Sequence, residues 1–222
     1  MVFRWAVILP PCPGKVKPIL RLRQSGKCSD KREIPPSLPL NNAPPDGKLP
    51  RLQYPLELTE KTMSFGQLLS DNIKRSKGMV EQTLAGFSEE QMFYRPAKGA
   101  NHAVWQLGHL TNATWGMVAG CDPTAKAPAQ DSRFSKEAAG SDDPTKFPKK
   151  AEAVKAFADA MDAAADWAAK LTEADLAKPA PERMRSFVPT VGDVAVVLSG
   201  HAMMHLGQFQ VMRRGLGMPV LF

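Results

Sequence analysis

Cysteine is scarce in this chain: its 222 residues hold three, Cys12, Cys28 and Cys121, with no CxxC pair. So odd and sparse a set argues against a disulfide framework and fits a reducing compartment. Long apolar runs are also missing, and none approaches the ~18–20 residues needed to span a bilayer. The short run from Trp5 to Leu9, after Arg4, falls below the ~7–15 apolar residues of a signal-peptide core. No membrane partner is expected, and the cytoplasm is the expected location. A clustered basic stripe is lacking too, despite a net charge of +7. Residues 1–62 carry 11 Lys/Arg against 5 Asp/Glu, and residues 63–222 carry 18 against 17. The excess therefore sits in the first segment, and the nearly neutral remainder has no phosphate-binding face. No nucleic-acid partner is expected.

What the first segment does have is proline, 11 of the 20, in pairs such as Pro10-Pro11, Pro35-Pro36 and Pro44-Pro45. No helical or strand period lasts more than a few residues there. Such a stretch buries too little apolar surface to offset its ordering entropy. Residues 1–62 are read as a disordered, Pro-rich basic extension. Met63 then opens a regular amphipathic pattern, so translation is expected to start there, with 1–62 an upstream read-through. A genuine flexible basic tail is the alternative.

From residue 63 onward the period is helical. Phe65, Leu68, Leu69, Asn72, Ile73, Met79, Val80, Leu84 and Phe87 mark a first helix over about 64–84. Ser88 to Gln91 has capping-box spacing and starts one further turn. A second helix runs from an Asn101 N-cap to about Val118, with Trp105, His109, Asn112 and Gly116 on one side. Residues 122–148 form a polar connection far longer than the usual ~2–8 residues between helices. A connection of that length joins helices that are not antiparallel neighbours. A third helix spans about 149–170, with Val154, Phe157, Met161, Ala164, Trp167 and Leu171 buried. A second polar connection, 172–189, leads to the capping box of Thr190 and Asp193. The last helix runs from there to Arg214 and stops at Gly215. No β-alternation survives counting. The expected fold is all-α: a four-helix bundle, residues 63–222, with a long crossover between its second and third helices.

All four histidines fall in the second and last helices. His201 and His205 are four residues apart, so they share a face one turn apart, together with Val194, Leu198, Gln208 and Met212. Buried imidazoles without partners cost roughly 1–3 kcal/mol each, and a divalent cation satisfies one nitrogen of each. With His109 on another inner face, three ligands and an open position become available, the pattern of catalytic zinc. His102 lies seven residues, ~10.5 Å of rise, before His109. It is left out of the ligand set and expected at the mouth or in solvent. Cys121, ~18 Å along the axis from His109, is not expected to act at the site. Carboxylates are missing where other chemistries need them. The zincin HExxH places Glu where Ala202 stands, and the Glu-x-x-His of di-iron bundles needs an acid at Leu198 or Ala202. The polar neighbours are amides, Gln208 and Asn112, which with Trp105 are the candidates to orient a bound water or substrate.

Residues 63–222 resemble the DinB-like (damage-inducible) superfamily of four-helix bundles. The resemblance rests on Trp105-Gln106-Leu107-Gly108-His109-Leu110, on His201-Ala202-Met203-Met204-His205-Leu206-Gly207-Gln208, and on the ending Arg213-Arg214-Gly215-Leu216-Gly217-Met218-Pro219. Residues 1–62 have no counterpart in it. It implies the long crossover and a divalent metal, zinc or nickel, on His109, His201 and His205. It implies, for some members, transferase or isomerase activity with low-molecular-weight thiols such as mycothiol or bacillithiol, acting on small-molecule substrates. Homodimers are a further implication. The expected function is that of a metal-dependent enzyme activating a thiol or water. The alternative is a non-catalytic bundle that binds metal or mediates protein contacts, and a haem bundle with two axial histidines is a third.

Overall fold

The computed structural model describes residues 63–222, which are helical and contain no strand beyond an isolated bridge between Pro179 and Thr190. The expectations for residues 1–62, and for Met63 as the start, concern or border on the stretch outside the described residues. Five α-helices follow in order: α1 Phe65–Ala85, α2 Ala103–Cys121, α3 Lys150–Ala168, the one-turn α4 Glu173–Leu176 and α5 Val191–Gly215. The four long ones form the bundle.

Hydrogen bonds and ion pairs fix their directions. Asn72 donates to the Ser199 hydroxyl and Gln210 donates to the Thr83 hydroxyl, so α1 and α5 run parallel. The Lys77–Asp162 ion pair and the Lys150 ammonium on the Ala85 and Phe87 carbonyls make α3 antiparallel to α1. Gln106 and His109 of α2 meet His205 and His201 of α5 in reverse order, so these two are antiparallel. It follows that α2 and α3 point the same way. A chain leaving the end of α2 must then travel the bundle's length, ~28 Å for 19 residues, before α3 can begin. That is why the crossover of residues 122–149 is long.

α2 itself lays the crossover down. The Asn112 amide accepts from the backbone N–H of Asp131 and donates to its carbonyl. One turn earlier the Phe134 ring lies directly against Gly108, and a Cβ at that position would overlap the ring. A turn earlier again the Trp105 indole N–H donates to the Ser135 carbonyl at 3.0 Å. Arg95 then reaches the Ala139 and Ser141 carbonyls. Three α2 residues spaced three and four apart thus form one stripe, and this stripe clamps the loop.

Local chemistry sets the ends. Ser64 caps α1 by accepting from the Gln67 N–H. Thr190 and Asp193 form the expected capping box on α5, and Thr172 with Asp175 forms a second one on α4. Arg213 and Arg214 sit in the last turn of α5, where cations suit the helix dipole. The left-handed residue beyond α5 is Gly217, at φ 70°, rather than Gly215. The latter is the last helical residue, and the Tyr94 ring packs where its side chain would be.

The buried stripe of α1 differs from the expected one. Ile73, Val80, Leu84 and Phe87 are in the core, joined by Ser70, Ser76 and Thr83. Phe65, Leu68 and Asn72 are exposed. They lie on the flank of the helix next to α5, beyond the contact line, because a helix packed between α3 and α5 buries its small residues at close approach. Gly66, against the carbonyls of Ala168 and Leu171, is one of these.

Candidate metal centre

The three expected ligands converge. The ring centroids of His109, His201 and His205 lie 4.9–5.4 Å apart pairwise. One nitrogen from each lies within 4.8 Å of the others, and His109 Nε2 is 3.3 Å from His201 Nε2. Two nitrogens bound tetrahedrally to zinc at ~2.05 Å would be about 3.3 Å apart, so this pair already has the separation a cation needs. No fourth His, Cys or carboxylate joins the group among the described residues.

Burial holds the rings neutral, the form that binds metal. It pushes His201 down to about 4, with His109 adding to the effect. It pushes His205 down to about 3, helped by His201 and His109. His109 is lowered by burial first and then by the charge of Lys136.

Each ring has its own support. His205 Nδ1 lies 2.7 Å from Gln106 Oε1. An amide oxygen only accepts, so Nδ1 carries the proton and Nε2 presents its lone pair. Gln106 is itself 1 % exposed, and its NH₂ donates to the Asn101 carbonyl. Trp105 stacks on His109 with centroids 5.1 Å apart and planes within 4°. Through its bond to Ser135 it also ties that ring to the crossover. The donor set, its neutrality and its orienting partners are compatible with a divalent cation.

Neither of the two expected amides is hydrogen-bonded to a histidine of the cluster. Gln208 is exposed on α5. The histidine pair sits at the edge of the buried sector, and Gln208 falls just past that edge. Asn112 is committed to the crossover backbone. The orienting amide is Gln106, one turn before His109 on the facing helix, which sequence reasoning missed. Its signal was a Gln on an otherwise apolar, inward stretch of α2. Of the three expected neighbours only Trp105 touches a histidine.

His102 corrects an expectation. It is neither solvent-exposed nor at the mouth but fully buried, and it is the true N-cap of α2 in place of Asn101. Its Nδ1 accepts from the Trp105 N–H and its Nε2 donates to the Ser141 carbonyl. Cys121 lies at the opposite end of α2, half-buried, with its thiol pushed up by burial. A cavity of about 190 Å³ lies between α2, α3 and the crossover, lined by residues such as Asn112, Arg133 and Glu152. None of the three clustered histidines borders it.

Replacing Gln106 with Leu leaves the His205 N–H unpaired in the interior and frees its tautomer. We expect metal affinity to fall roughly 10–100-fold, measured by competition against a chromophoric chelator. Equal affinity in the two proteins would remove Gln106 from the site.

The fold and the site together define a helical bundle with a three-histidine cluster between antiparallel helices. The family model of the DinB superfamily matches residues 72–209, and the chain belongs to that superfamily. No curated protein matches it. A solved structure described as the conserved protein of a locus from Enterococcus faecalis shares the fold. That match has a TM-score of 0.56 at 17% identity and covers 70% of this chain and 99% of the other. No helix among the described residues is long and apolar enough to cross a membrane.

Proposed function

We propose that His109, His201 and His205 hold one divalent cation, zinc or nickel, and that the protein is a metal-dependent enzyme activating a low-molecular-weight thiol or water against a small-molecule electrophile. The observation that carries this reading is the convergence of three neutral imidazoles from two helices, with no fourth ligand beside them among the described residues. A cation held by three ligands supplies Lewis acidity, which keeps a thiol or water as its conjugate base near neutral pH. That chemistry suits a site whose cluster contains no carboxylate to serve as base. Gln106 fixes the tautomer of His205, and Trp105 holds the plane of His109. His205 is buried and His109 and His201 are half-buried, and this partial burial strengthens the electrostatics at the cluster. In a thiol transfer the sulfur–carbon bond forms as the carbon–leaving-group bond breaks, and the thiol proton departs with the leaving group or to solvent. The sparse cysteines suit the reducing cytoplasm, where such thiols are kept reduced.

Elemental analysis of protein purified without a polyhistidine tag tests the metal. About one equivalent is expected in the native chain, and close to none in a His201→Ala, His205→Ala double variant. Single-turnover assays with thiols and electrophiles then test the chemistry. Full occupancy without turnover would leave the non-catalytic metal-binding bundle.

A further inference from the structure

The cavity of about 190 Å³ between α2, α3 and the crossover has a lining of its own, apart from the histidines. Most of its wall is apolar: Trp115, Phe134, Pro128, Pro148, Ala153 and Ala156. The space stays open because α3 presents alanines to it, where longer side chains would fill it. It exceeds an engineered core cavity of about 150 Å³ that holds benzene, so one aromatic ring with a short chain fits. Its roof is pinned to α2. Asn112 pairs with the Asp131 backbone, Gln130 Nε2 donates to the Asn112 carbonyl at 3.0 Å, and the Phe134 ring is seated on Gly108. The cavity is therefore preformed, which spares a ligand the cost of ordering it.

Three charged residues line it, Asp131, Arg133 and Glu152. The first two are committed to each other. Arg133 Nε and one terminal nitrogen donate to the Asp131 carboxylate in three contacts of 2.7–3.1 Å. These side-chain bonds are the main cause that holds the Asp131 carboxyl below its ordinary range. The guanidinium also lies over the Phe134 ring, 5.7 Å from its centroid. Glu152, exposed at the rim, has no hydrogen bond or ion pair among the described residues and only feels the Arg133 charge at a distance. The uncompensated charge of the lining is thus a carboxylate. With its NH₂ on Asn112, Gln130 leaves its amide oxygen as a second acceptor. Trp115 is the aromatic wall that carries no cation.

We propose that this cavity binds a small organic amine, its apolar body against Trp115 and the alanines of α3 and its ammonium on the Glu152 carboxylate and Gln130 Oε1. A carboxylate and an amide oxygen only accept, and an ammonium only donates. An indole beside the ammonium adds the attraction of its ring for a cation. An anion fits less well, because it meets a lining of net charge −1 and a guanidinium already paired. The site stands apart from the metal reading and is tested on metal-free protein.

The probe is phenethylamine, titrated into the full chain with chelator present so that no metal can take the amine. Binding is followed through the Trp115 indole N–H resonance. A dissociation constant on the order of 0.1–1 mM is expected, within reach of a ligand of about nine heavy atoms. Phenethyl alcohol and phenylacetate have similar shapes and should bind about tenfold more weakly, since neither makes the charged hydrogen bond to Glu152. Glu152→Gln should bring the amine to the level of the alcohol and leave the alcohol's own affinity unchanged, a split that a merely structural role would not produce. Ala156→Phe fills the cavity from an exposed position of α3. Helicity by circular dichroism should hold in that variant while all three probes stop binding. No response to the amine up to about 10 mM overturns the proposal. So do equal affinities for amine and carboxylate, a Glu152→Gln variant that spares the amine or weakens the alcohol equally, and binding that survives Ala156→Phe.

Discussion

Metal-free protein titrated with zinc or nickel should unfold at a higher temperature than the same protein in chelator. A ligand that binds only the folded state stabilises it by mass action, about 2.7 kcal/mol at a hundredfold excess over its dissociation constant and about 4.1 at a thousandfold. For a helical unit of this size that is on the order of 5–10 °C in the midpoint. The effect is large because the site exists only when α2 and α5 are docked. His109 is separated from His201 by 92 residues, so the unfolded chain cannot gather the three rings without closing that loop. The local pair His201 and His205 gives a control. If both are changed to Ala, the shift should vanish, while His109→Ala should leave only the weak binding of an isolated pair. A midpoint that ignores the metal, or a shift that survives in the double variant, would sink the metal assignment without touching the fold.

Helix ends carried their own chemistry in the sequence. The Thr190–Asp193 box and the crossover's excess length are both legible there, and each corresponds to a feature of the structure. The histidine cluster was visible as well, because i,i+4 spacing forces two rings onto one face. What stayed hidden were choices between equivalent positions. Gln106 and Gln208 both stand three or four residues from a candidate histidine. Only the rotation of each helix decides that Gln106 points inward and Gln208 outward. Asn112 shares a face with His109 by periodicity, yet its amide pairs with a backbone segment 19 residues away that no local pattern announces. The sequence puts His102 at the mouth or in solvent, because first-turn residues usually lie there. The crossover that buries it is a tertiary fact, set by the Arg95 and Ser141 contacts. Phe65 and Leu68 satisfy the helical period and still face out, since period alone does not say how far round the helix the packed stripe reaches.

Acid should unfold the metal-free protein over an unusually high pH range, and His102 should supply a measurable share. Burial, with the Arg95 charge, pushes His102 down to about 4 from an ordinary value near 6.5. The folded state therefore refuses a proton that the unfolded chain accepts. The stability tied to this neutral ring is fully present above about pH 6.5, and is lost as pH falls from there through about 4. Structurally, protonation turns Nδ1 from acceptor to donor, and the Trp105 N–H loses its cap at the start of α2. The ring is also wedged against Phe93 and Phe147, with centroids 4.8 Å from each, so it cannot swing out to water without opening that cluster. In His102→Asn the cap survives, because an Asn side chain accepts from the same N–H, but nothing there titrates. That variant should be less stable at pH 7 by roughly 1–3 kcal/mol, from the lost Ser141 bond and the lost packing. Yet between pH 7 and pH 5 it should lose about 2 kcal/mol less than the native protein does. Urea unfolding of both proteins at the two pH values measures the difference. Parallel losses would mean that His102 titrates normally and that its capping bond does not hold the ring neutral.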